Sequence, residues 1–468
     1  MTLDFLQVPT LDDGAVATLP DVLAEQAEVT VRRGAHVVEE TGEARALVAV
    51  VGLGCAGLSS AMALRQAGLR IVGIETSLGR LADIRCGRVG LPDELRVQLR
   101  DRCRDDAAFE LTDTIEAAGA ADLVLICVPA AVDRQRRPNP EALKRSCASV
   151  VGHAHAGQTL VLTSTSYVGS TRQLLVEPLE ERGLRVGEDV FVAFCPEHVE
   201  QGDTDAQAQS RLVVGGVTET CFRHASALLC NLGQGLLRVS SPETAEMVRL
   251  YESTFEAVNV ALAFELADAC RTQGVHPVEV ADAAAARPSG PRTRSACAGV
   301  PAHRIASEPH HLLHPLRERG RPATLAEEAL RRVDARPRRL AMRAYELLAR
   351  SARPVRDARV LVVGASSEPV IAERREAPAI EIIERLRATG AQVDFHDPLV
   401  PMLLLDGDEV SSIDPDPRRD ASGFGPEDYD LAIIVAIREG HDYGWLQRCP
   451  QVLDCTYRER TGRRYYLP

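Results

Sequence analysis

Leu47–Gly57 reads LVAVVGLGCAG, and its two halves follow different rules. Leu47–Gly52 is a short unbroken apolar run, the pattern of a strand covered on both faces in a parallel sheet. Gly52, Leu53, Gly54, Cys55, Ala56 and Gly57 then form a G-x-G-x-x-G where such a strand turns into a helix. Gly52 permits a tight turn, Gly54 lets the backbone approach a pyrophosphate, and Gly57 lets the helix pack closely on the sheet. The positive end of the helix dipole completes an anion site, to which Leu53, Cys55 and Ala56 contribute backbone. The next apolar run, Ile71–Glu75 (IVGIE), ends on a carboxylate at the distance where such folds hold the adenosine ribose. A carboxylate there accepts hydrogen bonds from ribose hydroxyls and repels a 2′-phosphate, so the expected cofactor is NAD and not NADP. Arg80, one turn later, is either a second ribose contact or a solvated helix arginine.

Leu123–Val128 (LVLICV), Leu160–Thr163 (LVLT) and Val190–Phe194 (VFVAF) are further buried-strand runs separated by helical stretches. That alternation builds a doubly wound α/β sheet. Ser241, Pro242 and Glu243 carry three marks of a helix start: a hydroxyl cap, a proline in the first turn and an acid at the positive end. Met247, Leu250, Tyr251, Phe255, Val258, Leu262 and Leu266 follow as an apolar stripe, and Gly274 stops the helix. A helix of this length is read as a bridge between domains and, along its stripe, as a homodimer interface. Arg287–Pro322 is rich in Pro, Arg, Ser and His without a period, and is read as a site loop. One helix is expected over Leu325–Ala352, then a second α/β unit. In it, Ala358–Pro369 (ARVLVVGASSEP) holds a strand, Pro378–Thr389 a helix, and Gln392–His396 and Asp430–Ile437 strands, with a last strand in Gln451–Tyr457. The expected architecture is α/β, two Rossmann-like doubly wound domains joined by a long central helix. Its parts are an N-terminal extension, 1–45; an NAD-binding domain, 46–240; a central helical dimerisation region, 241–353, containing the loop 287–322; and a C-terminal α/β domain, 354–468.

A formal charge of −13 over 468 residues argues against a nucleic-acid partner. No apolar run approaches the ~18 residues of a membrane span. The opening MTLDFLQVPTLDDG lacks the basic and apolar regions of a secretory signal. Twelve cysteines are scattered with no C-x-x-C pair, which points to a reducing cytoplasm and to no metal site.

Five further segments, in this order, resemble those of the UDP-glucose/GDP-mannose dehydrogenase family. They are ICVP at Ile126–Pro129, STSYVGST at Ser164–Thr171, CPEHVEQGD at Cys195–Asp203, VVGG at Val213–Gly216 and SPETAEM at Ser241–Met247. The resemblance runs from Leu47 to the C-terminus. It implies a C-terminal domain similar to a nucleotide-sugar-binding one, and a nucleotide-linked or nucleoside sugar as substrate. It adds Val128, Pro129, Ser164 and Thr165 to the cofactor-binding set, and makes Thr165 the holder of a catalytic water or hydroxyl. Glu197 matches a carboxylate beside the reacting carbon. Family members oxidise a sugar CH₂OH to a carboxylate in two NAD-dependent steps. A base takes the alcohol proton as hydride leaves; a thiolate then attacks the aldehyde, and the thiohemiacetal gives up a second hydride.

The chain departs from the family pattern where that chemistry is centred. Arg249 and Ser253 stand where the family has a catalytic Lys and an Asn. Pro301–Leu313 (PAHRIASEPHHLL) resembles the segment of the family's cysteine, with Arg304 at the cysteine position and Glu308 at an Asp position. Cys297, seven residues earlier, substitutes only if the loop is rebuilt. Arg375 and Glu376 match an Arg-Glu pair of the substrate segment, while Glu368 replaces a Lys. A guanidinium is a poor base near pH 7, and losing a positioned acid or base typically costs ~10²–10⁴ in rate. Glu197, Thr165, His303 and His198 remain able to act, with Arg304 as a fixed positive charge that stabilises an oxyanion or anion. The plain alternatives are a salt-bridged Glu197, a solvated His303 and an Arg249 that only bridges a carboxylate. The expected activity is one two-electron oxidation, or a redox-neutral cycle, without full oxidation to the uronic acid. The alternative is a catalytically inactive NAD-binding homologue acting as a partner or regulatory subunit.

Overall fold

The computed structural model describes residues 46–468 apart from 90, 92, 130, 134–135, 197–210, 233–234, 288–304, 306, 351–353, 366–377, 406, 416–424, 439 and 458–464. The extension 1–45 and much of the 287–322 segment lie outside the described residues.

Among the described residues the first unit holds ten strands: β1 (Leu47–Val51), β2 (Arg70–Ile74), β3 (Phe109–Thr112), β4 (Leu123–Ile126), β5 (Ala131–Val132), β6 (Pro138–Asn139), β7 (Thr159–Leu162), β8 (Phe191–Phe194), β9 (Arg211–Gly216) and β10 (Gly235–Val239). Eight of them form one sheet in the order β10-β9-β8-β7-β4-β1-β2-β3, and β5 pairs with β6 as a hairpin. The apolar runs read from sequence are its middle strands, buried on both faces as their continuous β-branched composition requires. Two apolar cores, one on each face, hold them. β3, β9 and β10 escaped the sequence reading. β3 is FELT with one fully buried residue, and β10 is half exposed at the sheet edge. All neighbours pair in parallel except β8 with β9. The chain winds outward from β1 through β2 to β3, then restarts at β4 on the other side. Between β1 and β4 the order reverses, and a doubly wound sheet opens its binding crevice there, at the C-terminal ends of the strands.

The central helix, Pro242–Gln273, keeps its expected ends. Ser241 Oγ accepts the Thr244 N–H at 3.1 Å, and Gly274 closes the helix with φ +71°. The apolar stripe is a different matter. Within it Leu250 is buried, while Met247, Tyr251, Phe255 and Leu262 are exposed. The buried face is built instead from small residues, Ala245, Ala257, Ala261, Ala263 and Ala267, with Phe264, because neighbouring helices approach closely there.

Two expectations about the helices are corrected. The segment 287–322 is not irregular throughout: Glu308–Glu318 is a helix, with Pro309 in its first turn, packed on the central helix. The single helix expected over 325–352 is two, Thr324–Asp334 and Arg336–Arg350, with the break at Ala335, just before Pro337. Pro337 has no N–H to donate to the carbonyl four residues earlier, and its ring clashes with that carbonyl, so the ladder is interrupted across Ala335.

The second unit has β11 (Arg359–Val363), β12 (Gln392–His396), a hairpin of β13 (Met402–Leu405) and β14 (Asp408–Ser411), β15 (Leu431–Ile434), β16 (Val452–Asp454) and β17 (Tyr465–Tyr466). Its five-stranded sheet runs β12-β11-β15-β16-β17, parallel throughout. β16 is therefore not the last strand. Buried Arg336 ties this unit to the central helix. Its guanidinium lies 4.6 Å from the centre of the Phe264 ring and donates to the Tyr457 hydroxyl just beyond β16.

Candidate active site

The glycine turn sits at the reversal point. A Cβ on Gly52, whose φ is +92°, would lie 2.8 Å from the Cys127 carbonyl oxygen at the end of β4. A Cβ on Gly57 would lie 2.0 Å from the Gly52 carbonyl oxygen, so only glycine lets the helix Cys55–Gln66 leave the strand this closely. A Cβ on Gly54 would meet nothing within 4 Å. Gly54 is thus not demanded by the protein's own packing, and the open space faces the first turn of a helix with no acidic residue in it. Backbone N–H groups at such a terminus suit a diphosphate.

Glu75 follows the end of β2. Its carboxylate accepts the Leu53 N–H at 3.3 Å and the Ser77 N–H at 3.0 Å, which aims it at the turn. Arg80 is half-buried, not solvated: its Nη2 donates to the Leu53 carbonyl at 3.3 Å. On the far side of the turn, Val128 is half-buried and Pro129 exposed, directly after β4. The hydroxyls of Thr163 and Ser164 both donate to the Ile126 carbonyl, at 2.9 and 3.0 Å, and so lash the end of β7 to β4. Across the sheet edge these groups make a row: the Glu75 carboxylate after β2, the open glycine turn after β1, and a hydroxyl-lined wall after β4 and β7. NAD fits this row.

Thr165, one step past Ser164, reaches the central helix. Glu308, at the start of its own helix, forms an ion pair with Arg249 at 2.9 Å and accepts the Thr165 hydroxyl at 3.1 Å. Arg249 Nε also lies 3.4 Å from Thr165 Oγ1. Ser253 donates to the other Glu308 oxygen. Four residues singled out from three separate stretches of sequence therefore meet at one point. Arg249 and Ser253 are buried, and bridging a carboxylate is what Arg249 does. Glu197, His198, Cys297, His303, Arg304, Glu368, Arg375 and Glu376 lie outside the described residues. Among the described residues, no three His, Cys, Asp or Glu side chains are placed to hold a metal.

The second sheet repeats the turn without the opening. Gly364 has φ +81° and follows β11 as Gly52 follows β1. Asp397 follows β12 and accepts the Ala365 and Leu399 N–H groups, each at 2.9 Å, the counterparts of Leu53 and Ser77. Asp397 is buried, however, and Arg438 covers it with hydrogen bonds of 2.8 and 3.3 Å. Neither residue was singled out in the sequence: Asp397 directly follows the strand Gln392–His396 as Glu75 follows its own strand, while Arg438 has no comparable local signal.

The family model of the UDP-glucose/GDP-mannose dehydrogenase family, NAD binding domain, matches residues 46–232, and that of the family's central domain matches 243–334. The chain belongs to this family, and is an NAD-dependent nucleotide-sugar oxidoreductase. It is similar to the UDP-N-acetyl-D-mannosamine dehydrogenase of Pyrococcus horikoshii, 28% identical over 358 residues that cover 75% of this chain and 84% of that protein. It is equally similar to the NDP-N-acetyl-D-galactosaminuronic acid dehydrogenase of Ralstonia solanacearum, 28% identical over 386 residues covering 79% and 87%. A solved structure of UDP-D-ManNAc dehydrogenase from P. horikoshii shares the fold, with a TM-score of 0.76 at 23% identity over 90% of this chain and 98% of that one.

Gly57 and Gly54 make a contrast that substitution can test. Gly57→Ala is expected to destabilise the chain by ~1–3 kcal/mol or more in denaturant unfolding, since backbone must move. Gly54→Ala is expected to leave the unfolding midpoint within error while weakening NAD at least tenfold in calorimetric titration. Equal effects of the two on stability would contradict the assignment.

Proposed function

We propose that the chain performs one two-electron oxidation of a hydroxyl on a nucleotide-linked or nucleoside sugar, or oxidises and re-reduces it with NAD retained, and stops short of the uronic acid. The supporting observation is the Arg249–Glu308 pair. A guanidinium keeps its protons at any working pH, so Arg249 serves as fixed charge and not as a base. It holds Glu308 against Thr165 and Ser253, and the reading assigns the Thr165 hydroxyl to the substrate oxygen. Bound NAD supplies the hydride acceptor. The C–H bond breaks with its electron pair, the O–H proton passes to a carboxylate or imidazole of the chain, and an aldehyde or ketone results. Glu308, Glu197 and His303 are the candidate acceptors, with Arg304 stabilising the oxyanion. With Arg304 at the cysteine position no thiohemiacetal forms there. Ser253, Glu308 and Arg375 belong to the substrate side, and Glu75, Arg80, Val128, Pro129 and Ser164 to the cofactor side. The expected yield, with UDP-N-acetyl-D-mannosamine, UDP-glucose or a nucleoside as probe, is one NADH per sugar at 340 nm with a carbonyl product by mass spectrometry. A retained-cofactor cycle gives an isomeric product and no net absorbance. Two NADH per sugar and a uronic acid contradict the proposal, and so does no conversion of any probe.

The chain is further proposed to act as a cytoplasmic homodimer, divided at about residues 46, 241 and 354. Among the described residues no helix is long and apolar enough to cross a membrane. Met247, Tyr251, Phe255 and Leu262 are 43, 63, 57 and 53% exposed along one stripe of the central helix, with half-buried Val258 and Leu266 between and beyond them. Burying each such side chain against a partner is worth about 1.5–3 kcal/mol. Sedimentation equilibrium is expected to give twice the chain mass, and Tyr251→Glu with Phe255→Glu to give a folded monomer. A wild-type monomer at micromolar concentration refutes the dimer.

A further inference from the structure

The central helix grips the segment after β7 along one polar stripe. Glu243 pairs with Arg172 at 2.9 Å, Glu246 takes the stretch Gly169–Thr171, and Arg249 meets Thr165. Helix positions i, i+3 and i+6 thus meet the segment in reverse order, a polar zipper with Glu246 as its middle rung.

That rung is unlike the other two. Glu246 is 1% exposed, and Ser170 and Thr171 are 0% exposed. One carboxylate oxygen accepts the Ser170 hydroxyl at 2.9 Å, the Thr171 N–H at 2.8 Å and the Thr171 hydroxyl at 2.7 Å. The other accepts the Gly169 N–H. Two of these donors are backbone amides at the start of a helix that opens with a π-helical turn, Arg172–Val176. The carboxylate therefore caps that helix from outside it, using charge at the positive end. Burial pushes the Glu246 carboxyl above the ordinary carboxylate range, against the pull of its hydrogen bonds to Thr171, Gly169 and Ser170. A buried carboxylate surrounded by four donors is costly to replace, because any change leaves donors unsatisfied.

We propose that Glu246 is a positioning residue of the reaction: by fixing Gly169–Thr171 to the central helix it sets the Thr165 hydroxyl against Arg249 and Glu308. The proposal rests on the reading of Thr165 as a residue of the site. Glu246 touches neither the glycine turn nor Glu75, so it acts on the geometry at β7 and not on the cofactor's diphosphate or adenosine end. A side chain that aligns a reacting group can be worth ~10²-fold in rate through about an ångström of displacement.

Glu246→Gln in the full chain tests this. Glutamine keeps the size but offers one acceptor oxygen, and turns an NH₂ toward N–H or O–H donors. The expected result is NAD affinity within about twofold of wild type, faster hydrogen exchange at the Gly169 and Thr171 amides, and ~10²-fold lower kcat at little changed KM for NAD. The emission of bound NADH, which needs no turnover, is expected to shift as well, so the test stands even if no sugar is converted by either form. Ser170→Ala removes one donor from the same cluster and is expected to give the same signs at smaller size should the first variant fold poorly. Wild-type kcat, or in the absence of turnover wild-type NADH emission, alongside accelerated exchange overturns the proposal. So does an NAD affinity that falls in step with stability, which marks Glu246 as a packing residue alone.

Discussion

The buried ion pair between Arg249 and Glu308 is the constraint on which the site depends. Arg249 is on the central helix, Glu308 begins a helix some sixty residues later, and Thr165 beside them lies in the segment just after strand β7 of the first sheet. Their side chains are 8% and 12% exposed. Removing two charges from water costs several kcal/mol each, and the cost is offset only when geometry and additional hydrogen bonds satisfy both groups. Thr165 and Ser253 supply those bonds. The consequence is mutual: the pair needs the strand end in place, and the strand end is held by the pair. Three regions far apart in sequence are thereby forced to one geometry beside the cofactor crevice.

Much of this was legible in the sequence because it rests on short-range rules. The glycine spacing at Gly52–Gly57 placed the turn, and Glu75 was placed by the end of an apolar run. Ser241 and Gly274 marked the two ends of the central helix through capping chemistry alone. What escaped has a physical reason in each case. The strand FELT at Phe109–Thr112 buries one side chain fully and carries no apolar run. The Glu308–Glu318 helix lies in a stretch crowded with Pro, His and Arg; Ser307, Glu308 and Pro309 are start marks like those at Ser241–Glu243, but no apolar stripe follows them, and the helix packs on the central helix. Glu246 reads as one of many helix glutamates, since its four donors come from a loop some seventy-five residues away.

The apolar stripe of the central helix shows how a correct pattern can carry two meanings. Its periodicity announced a helix face that seeks cover. Within the chain that cover goes to the opposite, alanine-rich face, and most of the stripe stays open. The two sheets make a related point. Both place a glycine after the first strand and a carboxylate after the second, bonded to matching backbone N–H groups. In the first the carboxylate faces an open turn; in the second Arg438 closes over it. One backbone device stays open in one unit and is a buried structural tie in the other.

A double-mutant cycle on Arg249→Met and Glu308→Gln, read by denaturant unfolding of the full chain, tests the central claim most directly. Residues in one buried network couple by ~0.5–3 kcal/mol, whereas independent sites add within ~0.3–0.5 kcal/mol. The account predicts that each single variant is strongly destabilised, and that the double variant recovers at least ~1.5 kcal/mol relative to the sum, because neither charge is left buried alone. Additivity within ~0.5 kcal/mol would contradict it.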